Sequence, residues 1–156
     1  MMSTVNQSLT IRRATIHDCT AIADLSVQLG YPSTSAQIAE RLMMIDNDSR
    51  HEVFVAESKN AVVGWVHITM ELHLESGSFA EIVGLVVDKH HRSAGLWKQL
   101  VESAEQWAQE RGCNVMRVRT NVVRESTHKF YEKIGYKLQK QQKVFGKTLG
   151  SVSDSN

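Results

Sequence analysis

The stretch Glu81-Ile82-Val83-Gly84-Leu85-Val86-Val87-Asp88-Lys89-His90-His91-Arg92-Ser93-Ala94-Gly95-Leu96-Trp97-Lys98-Gln99-Leu100 decides how the rest of the chain is read. From Phe79 to Asp88 it is almost continuously apolar, which predicts a central strand covered on both faces. From Ala94 to Arg111 the period changes: Leu96, Leu100, Ala104 and Trp107 fall on one side of a helix, and Gly112 closes it. The first-turn amides of such a helix have no partners within it, and its dipole adds partial positive charge there. Strand, glycine-bearing loop and helix N-terminus in this order make an anion site suited to phosphate, to which Arg92 adds a forked cationic donor. Many strand-to-helix units carry a glycine at this junction, so the stretch alone names no ligand. Gly84 weakens a central strand and marks either a bulge or a close approach of ligand to backbone.

Working outward, Leu9 to Arg13 reads as a first strand. Thr15 with Asp18 and the Ser33-Thr34-Ser35 group each open a helix. The two helices carry Ile22, Leu25 and Leu29, then Ile38, Leu42 and Ile45, and Gly30-Tyr31-Pro32 separates them. That break is either a simple corner or the rim of a pocket. His51 to Glu57 alternates as a strand, and Ser58-Lys59-Asn60 is a hairpin turn. The next strand sets Val62, Gly64, Val66, Ile68, Met70 and Leu72 on an apolar face, against Val63, Trp65, His67, Thr69, Glu71 and His73 on a mixed one. After the long helix, Val115 to Thr120 reads as a strand, Glu125 to Lys133 as a short helix and Tyr136 to Lys147 as one or two last strands. The consecutive strands imply antiparallel pairing, and the long helix implies one right-handed parallel crossover. The expected fold is a mixed α/β (α+β) sheet with helices on both faces.

The 156 residues suit a single domain, expected over 1–148, with a small polar tail at 149–156. A hydrophobic fraction of 42 % is enough for a sizeable core, while 18 Lys+Arg against 17 Asp+Glu leave a net charge of +1. That balance gives no general attraction to nucleic acid or anionic membrane. The longest apolar run, Ile82 to Val87, is far too short to span a bilayer, and no export signal is visible at the N-terminus. Cys19 and Cys113 form no metal-ligand spacing and read as buried free thiols of a reduced, cytoplasmic compartment. No metal site is expected: His90 and His91 are adjacent and lack an accompanying carboxylate cluster.

A second stretch, Thr120-Asn121-Val122-Val123-Arg124-Glu125-Ser126-Thr127-His128-Lys129-Phe130-Tyr131-Glu132-Lys133-Ile134-Gly135-Tyr136, sharpens the reading. With it the chain resembles the Gcn5-related N-acetyltransferase (GNAT) superfamily, in its small single-domain bacterial form. Arg92-Ser93-Ala94-Gly95 resembles most of that family's Arg/Gln-x-x-Gly-x-Gly/Ala pyrophosphate loop. Phe130 to Tyr136 resembles its Phe-Tyr-x-x-x-Gly-Phe/Tyr motif. The agreement in spacing and element order runs from about Leu9 to Lys147. It implies the acyl-CoA N-acyltransferase fold: a mostly antiparallel central sheet whose fourth and fifth strands are parallel and splay apart around acetyl-CoA. By that resemblance the backbone of Leu85, Val86 and Val87 pairs with the pantetheine arm. Arg92, Ser93, Ala94, Gly95, Leu96 and Trp97 surround the pyrophosphate, and Asn121 lies beside the pantetheine.

The resemblance also assigns chemistry. Tyr131 corresponds to the tyrosine that often protonates the departing thiolate; the plainer alternative is a half-buried tyrosine on an amphipathic helix. Glu81 corresponds to the carboxylate that serves the family's histone acetyltransferases as general base; the alternative is a solvated or cross-strand-paired carboxylate. His128, three residues before Tyr131, either assists proton transfer or anchors its helix. Tyr31 and Trp65 stand open between core, rim and acceptor contact, while His67, Glu71 and His73 can reach the acceptor side or simply solvate a strand. Trp97 departs from the family, which has Gly or Ala at that position, and the expectation is that its indole packs on the helix flank. The implied activity is acetyl transfer from acetyl-CoA to a primary amine by direct attack in a ternary complex. A small-molecule acceptor (aminoglycoside-like, polyamine-like or an amino acid) stands first. Protein or peptide amines, and a catalytically weak CoA-binding sensor, are the alternatives. Metal plays no part in this scheme, and a homodimer is compatible with the family.

Overall fold

The computed structural model describes residues 9–120 and 125–150. The chain forms two compact units that divide between Arg119 and Thr120. The first unit runs β1 (Leu9–Arg13), α1 (Cys19–Leu29), α2 (Ser35–Asp46), β2 (His51–Ser58), β3 (Ala61–His73), β4 (Gly77–Val87), α3 (Leu96–Glu110) and β5 (Met116–Val118). Short 3-10 turns at Ile16–Asp18 and Lys89–Ala94 precede α1 and α3. The five strands lie in sequence order, with β1 to β4 antiparallel and β4–β5 parallel. The α3 crossover is what makes that last pair parallel.

Local chemistry sets these boundaries. Thr15 and Asp18 form a reciprocal capping box, the Thr15 amide donating to Asp18 Oδ2 at 2.8 Å. Arg12 also grips both Asp18 oxygens at 2.9 Å each, which holds that carboxyl below its usual range. Thr34 and Gln37 box the start of α2 in the same way. Lys59 and Asn60 both adopt positive φ, 52° and 66°, the conformation of a tight two-residue hairpin turn between β2 and β3.

Helices cover both faces of the sheet. Val53 and Val55, with Trp65 opposite Val55, pack against Ile22 of α1 and Ile38, Leu42 and Ile45 of α2. On the other face α3 sits so close that a Cβ built on Gly64 would lie 3.2 Å from Leu100 Cδ1. Leu96, Leu100, Ala104 and Trp107 are all buried, as their spacing predicts. Both cysteines are free thiols, Cys113 buried and Cys19 half-buried. No described helix is long and apolar enough to cross a membrane.

The second unit contributes α4 (Glu125–Lys133), where its sequence predicts it. The strands expected over 136–147 do not form: no strand is present there, and Leu138, Val144 and Phe145 are exposed. From Lys137 to Lys143 every residue except Leu138 is Lys or Gln. Such a run has low strand preference and no apolar face to bury. β5 is also shorter than expected, ending at Val118 rather than Thr120. The apolar face of β3 holds through Ile68 and gives out at Leu72, which is 78 % exposed.

Candidate active site

β4 changes neighbours halfway along. Its first half pairs on both sides: Ala80, Glu81 and Ile82 match Met116, Arg117 and Val118 of β5, and β3 runs along the opposite edge. The parallel pairing stops there, with the Arg119 amide reaching the Ile82 carbonyl at 3.4 Å. From Val83 to Val87 only β3 accompanies the strand among the described residues.

A bulge sits at this change. His67 pairs with Gly84 and Ile68 with Ile82, so Val83 is the extra residue, 40 % exposed. Gly84 is glycine for a packing reason as well, because an added Cβ would fall 2.8 Å from the Trp65 ring. Past the bulge the Asp88 amide donates to Val63 of β3 at 2.8 Å. By strand alternation Leu85 and Val87 turn their N–H and C=O groups to the opposite, open edge. The side chains of Leu85, Val86 and Val87 are buried, so this segment presents backbone and little else.

The open edge leads into the Arg92 loop. Arg92 donates from Nε to the Val87 carbonyl at 3.1 Å, placing a cation at the end of the edge. Gly95 takes the left-handed conformation (φ 73°) and starts α3 without a side-chain cap, which leaves the first-turn amides available to an anion. The backbone of Ser93 and Ala94 belongs to the 3-10 turn. Leu96 is buried; half-buried Trp97 shares a helical stripe with Val101, Ala104 and Ala108, all buried.

The loop is tied to α1 by Gln28, which donates to Asp88 Oδ1 and accepts from the Lys89 amide, both at 3.0 Å. Asp88 also meets His91 at 2.8 Å, and these bonds hold its carboxyl below the usual range. An extended ligand with an amide-bearing arm and a phosphate end fits this arrangement of open strand edge, guanidinium and uncapped helix.

The first half of β4 is charged. Glu81 is buried (3 % exposed) and ion-paired through Oε2 with Nε of Arg119, whose own side chain is 57 % exposed. Thr69 and Arg117 flank Glu81 in the neighbouring strands. The Arg117 guanidinium lies 3.9 Å from the centre of the Phe79 ring. Thr69 donates to Glu71 at 2.9 Å, and His73 meets the other Glu71 oxygen at 3.3 Å, lowering that carboxyl. His67 faces His51 at 3.0 Å and is pushed down to about 4, first by burial and then by the His51 charge.

Arg117 and Arg119 were not singled out by sequence reasoning. Their signal was the alternation of two arginines, one on β5 and one just past its end, on the same side as Glu81. Tyr31 stands 68 % exposed in the turn after α1.

In the second unit Tyr131 is buried and its ring packs edge-on against Phe130 and Tyr136, at 5.3 and 5.6 Å between centroids. Burial raises its pKa, so the phenol keeps its proton at neutral pH. His128 is half-buried on the same helix. Asn121 lies outside the described residues. Among those described, no group of three His, Cys, Asp or Glu side chains could hold a metal.

Known proteins echo this architecture. An aminoglycoside N-acetyltransferase solved in complex with CoA superposes with a TM-score of 0.82 at 16 % identity, over 96 % of this chain and 100 % of its own. A transcriptional regulator from Bacillus halodurans C-125 gives a TM-score of 0.80 at 25 % identity, over 88 % of this chain and 99 % of its own. In sequence, an aminoalkylphosphonate N-acetyltransferase of Salmonella typhimurium is 35 % identical over 77 residues, 49 % of this chain. The chain spans about half the length (50 %) of that curated relative. The model of the acetyltransferase (GNAT) family matches residues 18–136, and the chain belongs to that family.

Proposed function

We propose that this chain transfers the acetyl group of acetyl-CoA to the primary amine of a small molecule, by direct attack within a ternary complex. The observation that carries the reading is the half-open strand β4, whose free backbone edge runs into the Arg92 loop and the uncapped start of α3. Leu85 offers its amide and carbonyl, and Val87 its amide, to the pantetheine arm, and one of these amides is suited to polarise the thioester carbonyl. Arg92 and the first amides of α3 take the pyrophosphate. Trp97, lying along the buried stripe of α3, leaves that approach clear.

The acceptor amine arrives protonated and must lose a proton before its lone pair can attack. Glu81, a carboxylate two residues before the bulge, is the base in this reading. Nitrogen then bonds to the acetyl carbon, the carbon–sulfur bond breaks, and the thiolate leaves. By the family correspondence Tyr131 supplies the proton that the thiolate takes up, and the second proton shed by the newly acylated nitrogen restores its phenol. The relatives named for aminoalkylphosphonates and aminoglycosides support a small-molecule acceptor.

The test is calorimetric titration with acetyl-CoA, followed by assay of thiol release with amines. Binding in the micromolar range, about −8 kcal/mol, and amine-dependent CoA release are expected. Absence of both overturns the proposal.

A further inference from the structure

We infer that the acceptor is zwitterionic: beside its amine it carries an oxyanion, carboxylate or phosphonate, which Arg117 binds. This deepens the acetyl-transfer reading and rests on it. The charged groups on this face of β3, β4 and β5 are two carboxylates, Glu71 and Glu81, and two guanidinia, Arg117 and Arg119. They are balanced in number and unevenly paired. Arg119 takes Glu81, and Glu71 is bonded to Thr69 and His73. Arg117 is left over: among the described residues no carboxylate lies within ion-pairing distance, and its buried Nε has no hydrogen-bond partner.

Phe79 holds the Arg117 guanidinium by its face, fixing its plane without neutralising its charge. A half-buried cation without a counter-ion is costly, and an incoming oxyanion offsets that cost. Arg117 also stands directly beside Glu81 in register. Neighbouring strands lie about 4.8 Å apart, so Arg117 and Glu81 project from adjacent backbone positions, a separation that the two ends of a short amino acid or aminophosphonate can span. A polyamine or a multiply cationic sugar would set positive charge against Arg117.

The experiment compares CoA release with 2-aminoethylphosphonate, β-alanine, propylamine and spermidine as acceptors. Arg117→Ala and Arg117→Lys are run beside the wild type, and acetyl-CoA titration reports whether each variant is folded. One charged hydrogen-bonded pair predicts a kcat/KM advantage of roughly ten- to a hundredfold for the oxyanion-bearing amines over propylamine. Arg117→Ala should bring that ratio close to one and Arg117→Lys restore part of it; the ratio between phosphonate and carboxylate identifies the oxyanion. Equal or faster turnover of propylamine or spermidine by the wild type, a measurement needing no variant, overturns the inference while the transfer reading stands. CoA release with none of the amines, with acetyl-CoA unbound, overturns both.

Discussion

The two halves of β4 share one strand and differ in almost every physical respect. From Ala80 to Ile82 the strand has neighbours on both edges, and its notable side chain is a buried, ion-paired carboxylate. From Val83 onward its side chains are apolar or absent, and among the described residues only β3 pairs with it. The first half therefore works through side chains and the second through backbone. A bulge at Val83 and a glycine at 84 separate them; on the proposed reading the first half meets the acceptor and the second meets acetyl-CoA. If this division holds, substitutions in one half should leave the other half's observable untouched.

The largest effect is expected from Glu81→Gln, which keeps size and burial and removes the proton-accepting charge. On the base reading kcat falls about a hundredfold or more, while acetyl-CoA affinity is unchanged. Steady-state kinetics beside calorimetry separate the two. A carboxylate that only pairs with Arg119 would lower the melting temperature and spare kcat.

Next is the join itself. Gly84→Ala places a Cβ against two atoms of the Trp65 indole, at 2.8 and 2.9 Å. Overpacking of this kind destabilises by up to about 3 kcal/mol, read as a lower urea midpoint. Trimming the ring with Trp65→Leu in the same chain should recover much of that loss, and simple additivity of the two changes would sink the packing account.

A third effect, on the order of 3 kcal/mol, belongs to His67, which pairs with Gly84 across the bulge. Its pKa is depressed to about 4 from the unfolded value of 6.5. Above pH 6.5 neither state binds the proton, and the folded state has its full advantage. As the pH falls from 6.5 to 4 the unfolded chain takes up the proton and the folded chain does not, so stability is lost across that window. Urea melts of His67→Gln should lack this component of the slope; an unchanged slope would show that the histidine titrates freely.

These features were unequally legible in the sequence. Local signals read well: the caps at Thr15 and Thr34, the Lys59-Asn60 turn, the apolar run of β4 and the stripe of α3 each depend on residues a few positions apart. Gly84 could be read as a bulge, but its fit under Trp65 depends on the β3–β4 register, which no local pattern states. A cross-strand partner for Glu81 was among the readings, but its identity as Arg119 was beyond reach for the same reason, since the two meet only after the α3 crossover lays β5 beside β4. The strands expected after Tyr136 show the reverse error, in which a strand is read through a Lys- and Gln-rich run that offers no apolar face to bury.

The smallest effect tests the second half by way of the loop it feeds. Gly95 has φ 73°, and a Cβ added there would meet nothing within 4 Å. Gly95→Ala is therefore a purely conformational change, costing about 1 kcal/mol. On the proposed reading this left-handed backbone sets the direction of the first amides of α3 toward the pyrophosphate. A chain that prefers to leave that conformation should bind acetyl-CoA about fivefold more weakly, with kcat at saturating acetyl-CoA unchanged. This is the mirror image of Glu81→Gln. A drop in kcat with affinity intact would mean that the loop shapes the reacting end of the site, and the division of β4 into a side-chain half and a backbone half would fail.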